Sequence, residues 1–187
     1  MEHAQASSPR RCTLQEYLAL EEPEGPRFEL SDGDLLMAPS TTWSHHAIRD
    51  RLNALLRAAL EPAAIAYVTS DTDFLLGPAT VRRPDVAVIL AARFRPEFAD
   101  LVPIPIAPDL VFEIASERDR AAALLLKVKH YLEAGTEAVW LLYPRLGMAH
   151  RYWRGAAAPR VFSRTEAIKE PHVLPGLSIA LAELLSA

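Results

Sequence analysis

Cysteine is nearly absent: Cys12 stands alone among 187 residues. No internal disulfide can form, and a reducing cytosolic setting is the expected one. Long apolar runs are absent too. Nothing approaches the roughly 18 residues that a membrane span requires, and residues 1–12 are polar, without the apolar stretch of a secretory signal. Positive charge is not in excess, with 20 Lys and Arg against 24 Asp and Glu, a net −4. A general nucleic-acid coat is disfavoured, because phosphate affinity comes from clustered Lys and Arg. A nuclease is not excluded, since site carboxylates themselves add negative charge. There is no internal repeat, and no low-complexity tract beyond Ala156-Ala157-Ala158.

Half the residues are hydrophobic and 24% are charged, as in an ordinary globular protein long enough to bury one core. Fifteen prolines fall mostly in connections. Residues 1–12 are expected to be flexible, and 13–187 to form one domain. Thr13 to Leu20 reads as a short helix, with Thr13 and Glu16 as a capping box and Pro23 and Gly25 behind it. Asp32-Gly33 between apolar runs signals a hairpin. Ser44 to Leu60 carries Ile48, Leu52, Leu55, Leu56 and Ala59 at helical spacing. Ala64 to Leu76 and Thr80 to Leu90 are expected as strands about Gly77-Pro78. Residues 91–108 hold four prolines and read as an irregular surface excursion. A buried strand at Leu110 to Ala115, a helix at Asp119 to Ala134 stopped by Gly135, and a second buried strand at Ala138 to Leu142 predict a parallel pair with a helical crossover. Strands at Gly147 to Trp153 and Arg160 to Phe162 and a closing helix at Leu177 to Leu185 complete an α/β domain with a mixed sheet flanked by helices.

Two acids interrupt the strand-like runs. Asp85 lies in Arg83-Pro84-Asp85-Val86-Ala87-Val88 and Glu113 in Leu110-Val111-Phe112-Glu113-Ile114. A carboxylate in an apolar strand is costly to bury without compensation, and two that converge raise each other's pKa. A divalent cation answers both demands, because hard cations take a few carboxylate oxygens and keep waters for substrate. The pattern points to metal-assisted hydrolysis, with a phosphodiester as the leading substrate. Lys127 and Lys129 lie on opposite flanks of the apolar stripe Leu124, Val128, Tyr131 and Leu132, and either can present its ammonium to a site.

Taken in order, these pieces resemble the Uma family of putative restriction endonucleases, a branch of the PD-(D/E)XK nuclease superfamily. The matching stretches are Thr13 to Leu20, Phe28 to Asp34, Ser44-His45-His46, Arg83-Pro84-Asp85, Phe112-Glu113-Ile114-Ala115-Ser116, Lys127 to Tyr131 with Gly135 and Trp140, and Leu174-Pro175-Gly176-Leu177. The resemblance implies a restriction-endonuclease-like fold and a Mg²⁺-dependent DNA endonuclease, with Mn²⁺ as a substitute ion. Asp85, Glu113 and the Ile114 carbonyl are the implied metal ligands. It favours Lys127 over Lys129 as the site lysine, although the superfamily often places lysine at the position of Ala115. Glu29 is assigned a metal-bound water or second cation, and His45, at a helix start, a proton shuttle or phosphate contact. Ala123, Ala138 and Tyr143 depart from the family pattern. The alternative is a catalytically degenerate module that binds DNA or a protein. A homodimer is the expected assembly, because cutting a duplex takes two sites. Arg82 and Arg83 are candidates for gripping a DNA backbone. His3, His130, His150 and His172 are read as surface residues, and Trp43, Trp140 and Trp153 as core or interface.

Overall fold

A computed structural model describes residues 10–20, 27–38, 41–117 and 119–186. The chain begins with a short strand, β1 (Arg10–Arg11), paired antiparallel with the hairpin that follows it. Cys12 is buried against Leu30 and Val81. Residues 10–12, expected within a flexible start, are therefore held by a ladder. Helix α1 (Leu14–Leu18) begins as predicted. The Thr13 side chain accepts from the Glu16 N–H, and the Glu16 carboxylate accepts from the Thr13 N–H at 2.7 Å. Pro23 and Gly25 lie outside the described residues.

The hairpin is β2 (Phe28–Ser31) and β3 (Asp34–Met37). Its turn residues Asp32 and Gly33 both have positive φ, 51° and 83°, as the tight hairpin turn demands. Helix α2 (Trp43–Leu60) then lays Ile48, Leu52, Leu56 and Leu60 into the core.

Each of the two long runs after α2 is two strands. The first gives β4 (Ala66–Thr69) and β5 (Phe74–Gly77). The second gives β6 (Thr80–Arg82) and β7 (Val86–Leu90). The breaks fall at polar 70–73, where Asp71 has φ 53°, and at Arg83-Pro84-Asp85, where proline cannot donate to a ladder. The halves enter different sheets: β5 and β6 join a five-stranded sheet ordered β1-β3-β2-β6-β5. The chain thus passes from one sheet to the other on either side of Asp85.

The larger sheet is completed by β8 (Leu110–Ile114), β9 (Ala138–Tyr143), β10 (Met148–Trp153) and β11 (Arg160–Ser163), in the order β11-β10-β9-β8-β7-β4. Only β8 and β9 are parallel, and helix α3 (Ala121–Glu133) connects them as expected. α2 covers one face, packing on Val86, Val88, Phe112 and Trp140. α3 covers the other, with Leu124, Val128 and Tyr131 on Val111, Val139 and Leu141.

Two expectations need correction. Residues 91–108 are irregular, but they are not a mere surface excursion: Phe98 and Ile104 are buried on Phe74, Ala87 and Ile89. The first half of the predicted closing helix, Leu177 to Ala180, is strand. β12 (Ala167–Glu170) pairs with β13 (Leu174–Ala180), and only Leu181–Leu184 is helical, as α4. Leu177, Ile179 and Leu181 are buried at every second position, a strand period that the helical reading overlooked.

Candidate active site

All five residues of β8 are buried, yet they serve two faces. Leu110, Phe112 and Ile114 join the α2 core, while Val111 joins the α3 core, and strand alternation sends Glu113 to that second side. β7 runs antiparallel beside β8, with Val86 opposite Phe112 and Ala87 opposite Val111. The ladder ends at Val86, and Asp85 just before it accepts the N–H of Ile114, the residue after Glu113. The two acids interrupting separate strands thus meet at the seam between the sheets.

Glu113 is 4% exposed. Tyr131 Oη donates to its Oε1 at 2.9 Å, and Lys127 Nζ lies 3.3 Å from its Oε2. Lys127 also reaches Glu29 Oε1 at 3.0 Å, so one ammonium bridges two carboxylates. Lys129 instead points outward to Glu133, one helical turn on. Asp85 Oδ2 accepts the Ile114 N–H at 2.7 Å and lies 3.2 Å from His45 Nε2. His45 Nδ1 is buried without a hydrogen-bond partner among the described residues. Asp85, Glu113, Ile114, Lys127, Glu29 and His45 all line one cavity of about 830 Å³.

Burial drives the Glu113 carboxyl up to about 7; Lys127 opposes this, and Asp85 and Glu29 add to it. Burial also pushes Glu29 upward, but Lys127, Arg82 and the Arg83 N–H outweigh it and hold that carboxyl below its ordinary range. Burial alone would depress the Lys127 ammonium; Glu113, Glu29 and Asp85 together raise it instead. The same contest at His45, burial against its Asp85 partner, ends with the imidazole raised.

In the cavity wall lies a network that the sequence reading missed. Arg82 is 2% exposed; it donates to Glu29 Oε2 at 2.9 Å, to Ser31 Oγ at 2.7 Å and to His130 Nδ1. Because His130 Nδ1 accepts from a guanidinium, its proton sits on Nε2 and faces Asp32 Oδ2 at 3.0 Å. Arg82 and Arg83 both line the cavity and both hold carboxylates: Arg83 pairs with Asp73 at 2.6 Å. His130, expected at the surface, is buried. The available signal was Arg82 itself, a charged residue inside the short apolar run Thr80-Val81-Arg82 whose fate sequence alone does not fix. The tryptophans divide: Trp140 is fully buried, Trp153 packs against the core, and Trp43 is 83% exposed.

The donors fit a hard divalent cation. Among the described residues no three His, Cys, Asp or Glu side chains converge as a complete ligand set. Mg²⁺ does not ask for one, since it binds through one or two carboxylates and retains waters. The upward push on Glu113 from Asp85 and Glu29 marks an excess of negative charge that a cation would offset. Ala115 and Ala123 also line the cavity, so two of the four positions where this chain departs from the superfamily and family patterns border the site, and Ala138 and Tyr143 do not line it. Residues 91–108 do not line it.

The fold has a solved counterpart. A crystal structure of a nuclease from Anabaena variabilis, described as putative and assigned to DUF820, superposes with a TM-score of 0.83 at 25% identity, over 92% of this chain and 97% of that one. None of the curated proteins matches the sequence. No helix among the described residues is long and apolar enough to cross a membrane. The family model described as "Putative restriction endonuclease" matches residues 14–182, and with nearly the whole fold inside that match the chain belongs to the Uma family.

Proposed function

We propose that this protein is a Mg²⁺-dependent DNA endonuclease, with Mn²⁺ able to replace Mg²⁺. The observation that carries the reading is the meeting of Asp85 and Glu113 under a bridging Lys127 at the floor of an open cavity. Asp85, Glu113 and the Ile114 carbonyl would hold the cation, which when bound would polarise the attacking water and screen the leaving oxygen. Lys127 carries fixed positive charge toward the developing phosphorane charge, the kind of preorganised electrostatics that usually contributes most to catalysis. Its raised pKa keeps it protonated at neutral pH, which favours charge neutralisation over proton abstraction. Glu29 sets the position of that ammonium through the 3.0 Å contact. His45, held by Asp85, is placed to pass a proton at the cavity wall. Cys12, the single thiol, is buried and consistent with work in a reducing cytoplasm. Cleavage of both strands of a duplex would call for a symmetric pair of chains.

The test is Mn²⁺ binding by calorimetry, followed by cleavage of plasmid and oligonucleotide DNA, comparing wild type with Asp85→Ala. Binding and cleavage that both vanish in the variant support the proposal. A wild type that binds DNA but neither metal nor cuts would make the protein the degenerate binding module instead.

A further inference from the structure

Among the described residues, Trp43, Leu146 and Met37 are three of the four most exposed large apolar side chains, at 83, 69 and 63%. All three belong to segments that border the same cavity. Met37 lines it; Trp43 sits between Thr42 and Ser44, and Leu146 follows Arg145, and those three neighbours line it as well. Trp43 is the first residue of the 18-residue helix α2, capped by the Thr42 side chain, so a rigid element carries its indole. Arg27 and Arg145 line the same cavity, Arg145 in an ion pair with Glu117. The core does not use this indole, and the cavity beside its segment carries Glu113, Lys127 and Glu29, which is no bed for an apolar protein segment. An apolar platform beside cations and a carboxylate cluster matches how unpaired nucleic acid is held: the backbone tracks the charge and a base stacks on the ring.

From this arrangement we infer that the site accepts an unpaired DNA strand, with Trp43 stacking on a base next to the phosphate delivered to the cavity. This rests on the nuclease reading and narrows its substrate. A paired base offers no free face to the indole, so Trp43 discriminates strand state and not sequence. One chain then suffices for one cut.

The experiment is fluorescence anisotropy with a labelled oligothymidylate and a labelled closed hairpin duplex in Ca²⁺, for wild type, Trp43→Ala and Trp43→Phe. Trp43 is exposed, so the variants keep the fold. Stacking contributes about 1–3 kcal/mol per base, so Trp43→Ala should weaken oligothymidylate binding roughly tenfold. Trp43→Phe should recover most of that, and duplex binding should stay unchanged. Oligothymidylate affinity untouched by Trp43→Ala overturns the inference while leaving the nuclease reading in place. An equal loss for duplex and single strand also overturns it. No binding of either DNA by the wild type sinks both readings. Sedimentation velocity supplies the remaining check: a wild-type dimer that Trp43→Ala dissolves would reassign the ring to an interface between copies.

Discussion

Arg82 shows how one buried side chain in the cavity wall can hold a site through its partners. Its guanidinium is buried and its partners are Glu29, Ser31 and His130. Removing one member of a buried ion pair leaves the other uncompensated, typically at about 3–5 kcal/mol. Arg82→Met should therefore cost several kcal/mol in urea unfolding, although methionine fills much of the volume. Lys127 differs in that its ammonium bridges two of the cavity's carboxylates. Loss of one preorganised charge-stabilising donor usually costs about 10²–10³ in rate. Lys127→Met should reduce DNA cleavage by that order, measured by single-turnover assay, and Lys129→Met, at the exposed Glu133 pair, should leave it unchanged. Equal losses from both would remove Lys127 from the site. The sequence alone left the two lysines open on opposite flanks. Only the packing of α3 on β8 and β9 decides which flank meets Glu113.

At the scale of elements, capping and turns were legible because they depend on neighbours in the chain. Thr13 with Glu16, and Asp32 with Gly33, do what their spacing predicts. Gly33→Ala should destabilise the protein by about 1–2 kcal/mol in chemical denaturation, because φ 83° is strained for any residue with a Cβ. The long strand-like runs were misread for a complementary reason. An extended run looks the same whether its two ends enter one sheet or two, and the choice belongs to strands remote in sequence. Leu177, Ile179, Leu181, Leu184 and Leu185 satisfy a helical spacing and a strand spacing in part, and pairing with Ala167–Glu170 settles the first portion as strand. Residues 91–108 carry prolines that mark a loop correctly. That Phe98 and Ile104 would cover a third patch of core was not written in their local pattern.

For the molecule as a whole, two titrations pull stability in opposite directions. Glu113 has its folded pKa raised to about 7 from an ordinary value of 4.5. Its folded form retains a proton that the unfolded chain releases, so this contribution is fully present below about pH 4.5 and is lost as pH rises through 7. His130 is depressed below its ordinary 6.5, by burial first and by Arg82 second. Its contribution is present above 6.5 and is lost as pH falls below that value. Metal-free protein should accordingly lose stability as pH rises from about 4.5 to 7, with His130 opposing the loss only below 6.5, and Glu113→Gln should flatten that slope, as read from urea midpoints. A cation competes with the Glu113 proton, so Mn²⁺ should raise the melting temperature more at pH 8 than at pH 6. A Mn²⁺ effect that is equal at both pH values would separate Glu113 from the cation.

By itself the sequence determined the local grammar and the chemical inventory of this protein. Helix starts, the hairpin turn, the buried strands, the parallel crossover and the pair Asp85 and Glu113 follow from side-chain period, capping and the cost of charge in apolar runs. Those causes act over a few residues, so they survive without a fold. Tertiary structure alone decided what the charges meet. It put Lys127 between Glu29 and Glu113, hid Arg82 and Arg83 in ion pairs, drew His130 inward to Asp32 and left Trp43 bare to solvent. Whether a charge is buried, paired or free depends on segments tens of residues away, and chain spacing does not encode that distance.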